Sequence, residues 1–192
     1  HFSQEADLKR PAGSEGYQLV SLPHTNIELP YNYFDDRAFC FVSCYKRWLS
    51  LEPQWQGQRL FLHFEGVMNF ARVFVNGTPA GEYKGGYTAF SVEITDLLRF
   101  DGENEVTVAV DSTERPDTPP FGGSIDYLTY GGIYREVSLL VVPPVHLKHV
   151  FISTPDVQAD SVGLLAEITL DGLSDKEPHD YAARIVLKDG ET

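Results

Sequence analysis

Thiols, imidazoles and paired glycines are the residue types in this chain whose spacing first invites a chemical reading. Cys40 and Cys44 lie four apart in Phe39-Cys40-Phe41-Val42-Ser43-Cys44-Tyr45. In a strand that interval puts both on one face but roughly 13 Å apart. A disulfide needs Cα atoms within about 7 Å, so the two should not bridge each other there. Two thiols without further Cys or His at ligand spacing also make a poor zinc site. Both are read as small strand residues, a usage that leans to a reducing compartment. His24, His63, His146 and His149 form no metal set, and His146 and His149 share only a short linker. Gly85-Gly86 and Gly131-Gly132 are not phosphate cradles, which need Gly-rich backbone opening into a helix with a Lys nearby. Here the sequence continues into strands, so these glycines read as turns and bulges. No metal and no cofactor are expected.

Charge and length narrow the partners. The 192 residues carry a formal charge of −13, which sets any phosphate backbone against a surface of its own sign and excludes a nucleic-acid partner. Hydrophobic residues at 42% and charged residues at 22% are ordinary for a globular chain, so disorder is not expected. No apolar run approaches the ~20 residues of a spanning helix, and no membrane partner is expected. His1-Phe2-Ser3-Gln4 has neither a basic start nor an apolar core, so no leader is read there; removal of one ahead of residue 1 stays open. The cytoplasm is the favoured location.

The elements that must position any site are short alternating runs broken by Gly, Pro, Asn and Asp. Strands are expected at Phe39–Tyr45, Arg59–Glu65, Ala71–Val75, Gly81–Tyr83, Ala89–Val92, Glu105–Val110 and Glu136–Val142. Asn76-Gly77 is the strongest hairpin signal, because both turn positions tolerate positive φ. Glu93–Leu98 reads as one helical turn. No amphipathic helix is sustained over three turns, so the fold expected is all-β, a sandwich or jelly roll of antiparallel strands. Pro143-Pro144 removes two ladder donors and marks a linker. Domains are therefore expected at 1–144 and 145–192. The second holds three strand candidates, His149–Ser153, Val162–Leu170 and Tyr181–Leu187, too few for a closed sandwich of about seven strands.

Several segments taken in order resemble the sugar-binding domain of glycoside hydrolase family 2, the family of β-galactosidases, β-glucuronidases and β-mannosidases. They are Leu22-Pro23-His24, Tyr45-Lys46-Arg47, Leu62-His63-Phe64-Glu65-Gly66-Val67 and Ala71-Arg72-Val73-Phe74-Val75-Asn76-Gly77. Gly85-Gly86-Tyr87, Ile94-Thr95-Asp96-Leu97-Leu98, Asn104–Asp111 and Tyr130-Gly131-Gly132-Ile133-Tyr134-Arg135-Glu136-Val137 complete the set. The resemblance implies a jelly-roll-like, galactose-binding-domain-like sandwich, followed by the opening strands of a truncated immunoglobulin-like sandwich. It also implies a (β/α)₈ catalytic barrel in the same polypeptide, beyond these residues. The barrel would carry the two glutamates of a retaining glycosidase, whose carboxyls stand ~5–5.5 Å apart. No residue of this chain is then catalytic, and the isolated chain should not hydrolyse glycosides.

Within the resemblance, Asp126 is the residue expected at the sugar. Family members carry an Asp in the loop before the Gly-Ile-aromatic-Arg motif, and Asp126 stands six residues before Gly132. A carboxylate there can accept from two adjacent hydroxyls at once; the alternative is a carboxylate that only caps its own loop. Tyr127 and Tyr130 flank it and offer rings to sugar C–H faces, while Tyr31, Tyr33, Trp48 and Trp55 are read mainly as core formers. Asn32 is a further substrate candidate, against a turn-forming role. Arg135 is expected in a structural ion pair, and Arg72, Lys84 and Arg115 as solvated charges.

The expected partners are thus a β-glycoside or oligosaccharide and the barrel of the same chain. Two other readings stay open: an autonomous carbohydrate-binding module, or a structural sandwich without sugar contacts. A half-built second sandwich would leave strand edges unpaired. Homo-oligomers through residues 145–192, or poor order near Thr192, are expected from it.

Overall fold

The structure, a computed structural model, describes residues 2–3, 15–32, 35, 37–119, 127, 129–158, 160–174 and 181–188. The chain divides into two compact units, His1–Val142 and Pro143–Thr192.

In the first unit, a five-stranded antiparallel sheet is ordered β1 (Phe2–Ser3), β2 (Val42–Leu49), β7 (Asn104–Asp111), β4 (Phe70–Val75), β5 (Thr78–Lys84). A three-stranded sheet is ordered β6 (Phe90–Glu93), β3 (Arg59–Phe64), β8 (Val137–Val142). Strand period explains the pairing of faces. In Arg59-Leu60-Phe61-Leu62-His63-Phe64 every second residue is buried, so Leu60, Leu62 and Phe64 enter the core. Ala71, Val73 and Val75 on β4 and Val106, Val108 and Val110 on β7 meet them from the larger sheet. Phe90 is stacked between Phe64 and Tyr83, with ring centroids 4.8 and 4.3 Å away. Burying each such Val, Leu or Phe stabilises the fold by about 1.5–3 kcal/mol. The result is an all-β sandwich of antiparallel sheets around one core.

Three local features follow from particular residues. Asn76 and Gly77 both have positive φ, 52° and 78°, which closes the β4–β5 hairpin as expected of that pair. Thr95–Leu97 forms one 3₁₀ turn where a single helical turn was expected. The strand expected from Phe39 starts later, at Val42, and runs on to Leu49, because residues 37–39 are taken by a turn.

Asn104 locks the end of the sandwich where β4 finishes and β7 starts. Fully buried, it accepts from Arg99 N (2.8 Å) and Asn76 Nδ2 (2.9 Å) and donates to Arg99 O (2.9 Å). Asn76 in turn accepts from Glu105 N at 3.0 Å and donates to Leu97 O at 2.9 Å. On the outer side of β2, the buried Lys46 pairs with Glu105 of β7 at 2.9 Å. Removing one partner of such a pair leaves a buried charge uncompensated, which is strongly destabilising.

In the second unit, β9 (His146–Ser153) pairs antiparallel with β10 (Leu165–Asp171), with a register shift between Thr169 and Leu170. Leu147, Phe151, Ile152 and Leu165 are each more than half exposed. The third strand expected here, Tyr181–Leu187, is not assigned as a strand among the described residues. Residue type supplies only β propensity, and a strand is completed by a neighbour that takes its backbone hydrogen bonds. Among the described residues nothing lies in register with that segment. The expectation about order near Thr192 falls outside the described residues.

Candidate functional site

The candidate site is built where two loops of the first unit are stitched together. His24 N donates to Ile133 O at 2.8 Å, and Asn26 N donates to Gly131 O at 2.9 Å. On the other side, Met68 N donates to Gly132 O at 2.9 Å. The glycine pair makes this stitch feasible. A Cβ on Gly131 would enter the Asn26 side chain. A Cβ on Gly132, whose φ is +103°, would stand 2.5 Å from Tyr45 Oη and 2.9 Å from Asn26 N and His24 O. These glycines therefore serve close approach of two loops, where the sequence suggested only turns and bulges. Sequence could not reveal this, since Asn26 and Gly131 meet only through the fold.

Buried polar groups hold the stitched loops rigid. Asn26, 2% exposed, donates through Nδ2 to Phe39 O at 2.9 Å. Ser112 Oγ donates to Met68 O at 2.8 Å. His24 Nδ1 and Tyr45 Oη are 3.0 Å apart. Burial pushes the Tyr45 phenol well above its ordinary range, so the hydroxyl keeps its proton. Burial lowers the His24 imidazole below 6.5, against an opposing pull from Glu28. The two groups therefore meet as a phenol that keeps its proton and an imidazole whose charged form is disfavoured by burial.

Above this base lies an open cavity of about 480 Å³, lined by Thr25, Ile27, the run Glu28-Leu29-Pro30-Tyr31, and Tyr130. Tyr130 stands at φ 47°, a left-handed conformation that costs a side-chain-bearing residue about 1–2 kcal/mol. Such strain is held by its surroundings, and it recurs where a side chain is aimed for a task. Tyr31 is 95% exposed and Tyr130 42% exposed, so both rings are accessible.

The sequence-derived candidates divide. Tyr130 lines the cavity. Asn32 is described and exposed, but it is not among the lining residues, although its neighbour Tyr31 is. Tyr127 is half exposed and faces Tyr87, whose phenol is pushed up first by burial and then by Tyr127. Tyr134 Oη donates to Gly86 O at 2.5 Å, so the loop carrying Tyr87 is tied to the strand region after Tyr130. Asp126 lies outside the described residues.

Glu28 and Tyr87 were missed as site residues. The available signal for Glu28 was its place in a stretch free of Lys and Arg, and for Tyr87 its position directly after Gly85-Gly86. Trp55 packs against the core as read, while Trp48 is 43% exposed on β2.

The charges also need correction. Arg72 and Lys84 are exposed as read, and Arg115, Lys84 and Arg72 lie 4.8, 5.7 and 6.0 Å from the Phe70 ring centroid, a shared contact the sequence did not suggest. Lys84 and Arg115 both engage Asp117, at 2.5 and 3.2 Å, and the Lys84 bond is the main reason its carboxyl falls to about 2. Adjacent strands bring these groups onto one face, which alternation alone does not specify. Arg135 is exposed and lies 5.6 Å from the Tyr134 ring centroid, without an ion pair among the described residues; β8 begins only at Val137. Among the described residues no group of three or more His, Cys, Asp or Glu is placed to hold a metal.

The first unit is thus an antiparallel sandwich with an exposed-tyrosine cavity at its loops. The sequence profile of the glycosyl hydrolases family 2 sugar binding domain matches residues 15–143, and the chain belongs to that family. It is 47% identical over 159 residues to a β-galactosidase of Thermoanaerobacterium thermosulfurigenes, covering 82% of this chain and 22% of that protein. It is 41% identical over 143 residues to a β-glucuronidase of Bacteroides fragilis, covering 72% of this chain and 20% of that one. Among solved structures, a Bacteroides uniformis β-glucuronidase superposes with a TM-score of 0.70 at 32% identity, over 81% of this chain and 19% of that one. The chain therefore spans about a fifth of the length of these relatives.

Proposed function

We propose that this chain is the non-catalytic, sugar-binding front of a retaining β-glycosidase of the β-galactosidase or β-glucuronidase type. Residues 1–144 would form the sugar-binding domain and residues 145–192 the start of an immunoglobulin-like sandwich. Hydrolysis would belong to a barrel in the same polypeptide, which the first domain buttresses while lending its loop around Asp126, with Tyr127 and Tyr130, to the sugar. The observation that carries this reading is the family match over residues 15–143, shared with relatives named for β-glycoside hydrolysis. Two features support it physically. Exposed tyrosine rings suit the C–H faces of a pyranose, and one carboxylate can accept from two neighbouring hydroxyls.

The source gene beyond the codon for Thr192 tests the division of labour. A continuation into the rest of a sandwich and a barrel with two glutamates is expected. A stop codon there would overturn the hydrolase reading in favour of an autonomous carbohydrate-binding module. In the continued polypeptide, Asp126→Ala is expected to abolish most turnover with folding intact. Unchanged kinetics would remove Asp126 from the sugar site.

A further inference from the structure

Asn76-Gly77 closes the β4–β5 hairpin, and the same dipeptide carries a reaction of its own. An asparagine followed by an unhindered backbone amide can cyclise in water. Gly77 N, after losing its proton to solvent, attacks Asn76 Cγ; the new C–N bond replaces the Cγ–Nδ2 bond, and ammonia leaves. Water then opens the imide ring. Cleavage beside Cγ gives aspartate in the original chain. Cleavage beside the backbone carbonyl gives isoaspartate, which adds a methylene to the main chain. Of the five asparagines only Asn76 precedes a glycine; the others precede Ile27, Tyr33, Phe70 and Glu105. Gly77 has open space where a side chain would stand, so its amide is sterically unprotected.

The fold holds this reaction back. Asn76 Oδ1 accepts from Glu105 N at 3.0 Å, and Nδ2 donates to Leu97 O and Asn104 Oδ1, each at 2.9 Å. Cyclisation must break these bonds and turn Cγ back onto Gly77 N. It therefore proceeds through an opened form of this end, at a rate that follows the opened population. The product cannot rebuild the lock. An aspartate here replaces the Nδ2 donor with a carboxylate oxygen that faces two acceptors, Leu97 O and Asn104 Oδ1. Asn104 is not at liberty to turn its amide. Its Oδ1 also accepts from Arg99 N at 2.8 Å, and its Nδ2 donates to Arg99 O at 2.9 Å. Isoaspartate instead lengthens the turn whose flanks are the paired Val75 and Thr78.

We infer that Asn76-Gly77 is a modification site gated by the fold. It is dormant while the Asn76–Asn104 lock is closed, and water converts it to aspartate or isoaspartate once that end opens. The converted chain then closes less stably, so a single hydrolytic event marks a molecule that has opened. The inference stands apart from the sugar-binding reading.

The test incubates the 192-residue chain, and separately a peptide of residues 70–84, at mildly alkaline pH, and follows amide-to-acid conversion at Asn76 by mass-spectrometric peptide mapping. Conversion in the folded chain should be slower by roughly tenfold or more, and guanidinium chloride should bring it to the peptide's rate. Asn104→Ala, checked for folding by circular dichroism, should convert roughly threefold faster than the parent or more. Asn76→Asp supplies one product directly and should lower the urea midpoint. If Asn104→Ala does not fold, the peptide comparison and Asn76→Asp decide. Equal rates in the folded chain and the peptide overturn the inference. So does an unchanged rate in folded Asn104→Ala, or an Asn76→Asp midpoint equal to the parent's.

Discussion

The two ends of the sandwich handle their polar groups in opposite ways. At the end where β4 finishes and β7 starts, Asn76 and Asn104 exchange hydrogen bonds with each other and with the backbone of residues 97, 99 and 105. Asn104 has no exposed surface, and its side chain is used on both sides. At the other end, Gly131 and Gly132 bring two loops together, and the side chains carried above that stitch, Glu28, Tyr31 and Tyr130, face solvent. The first end spends its polar chemistry on the fold. The second keeps its backbone satisfied and leaves side-chain chemistry available, at the cost of a tyrosine in a left-handed conformation. Rigid scaffolds with functional loops at one end follow this division.

Substitutions can break the contrast, beginning with its base. Gly132→Ala forces a Cβ against Tyr45 Oη and two backbone atoms at a positive φ. A loss of about 3–5 kcal/mol is expected from overpacking and backbone strain together, read as a lowered urea midpoint. A midpoint within error of the parent would mean that the stitch is not needed. Asn104→Ala at the opposite end removes the side-chain partners of Arg99 N and Arg99 O, and a loss of about 2–4 kcal/mol is expected. Its sugar response, scaled for the folded fraction, should stay unchanged.

Tyr130→Gly sharpens the comparison in the other direction. Relief of the left-handed strain should outweigh the added chain entropy, for a gain of about 0.5–1 kcal/mol in thermal or urea unfolding. The amide shifts caused by a neutral glycoside should weaken at the same time. A variant that is less stable would show that the ring packs for the fold.

The smallest effect is a pH dependence. The folded-state value of His24 lies below its unfolded value of 6.5, so the unfolded chain binds the extra proton first. Stability from this group is full above 6.5 and is lost as pH falls below that value. Between about pH 7.5 and about pH 5.5 the urea midpoint should decline, and His24→Gln should flatten that part of the profile. An identical slope in both proteins would assign the dependence to carboxylates.

Much of the sandwich was legible because strand period and turn chemistry are local. The alternation from Arg59 to Phe64 predicted which residues face the core, and Asn76-Gly77 predicted the hairpin with its positive φ values. The late start of β2 was not legible, because residues 37–39 turn to place Phe39 O against Asn26, a contact 13 residues distant. Nor was the lack, among the described residues, of an assigned strand at Tyr181–Leu187, since propensity cannot supply a partner edge. At the candidate site, Tyr130 was readable from the motif it opens. Glu28 and Tyr87 were not singled out, because each gains its meaning from a neighbour on another loop.

Residue order by itself thus determined the class of the fold, the family resemblance and the absence of Lys and Arg from residues 23–36 and 116–134. These are properties of type and spacing, and no packing can alter them. Only the tertiary structure decided that Gly131 yields to Asn26, that His24 Nδ1 meets Tyr45 Oη, and that Glu28, Tyr31 and Tyr130 share one cavity. Those facts join residues as far apart as 105 positions in the chain, from Thr25 to Tyr130, and such meetings are set by how two sheets stack around a common core.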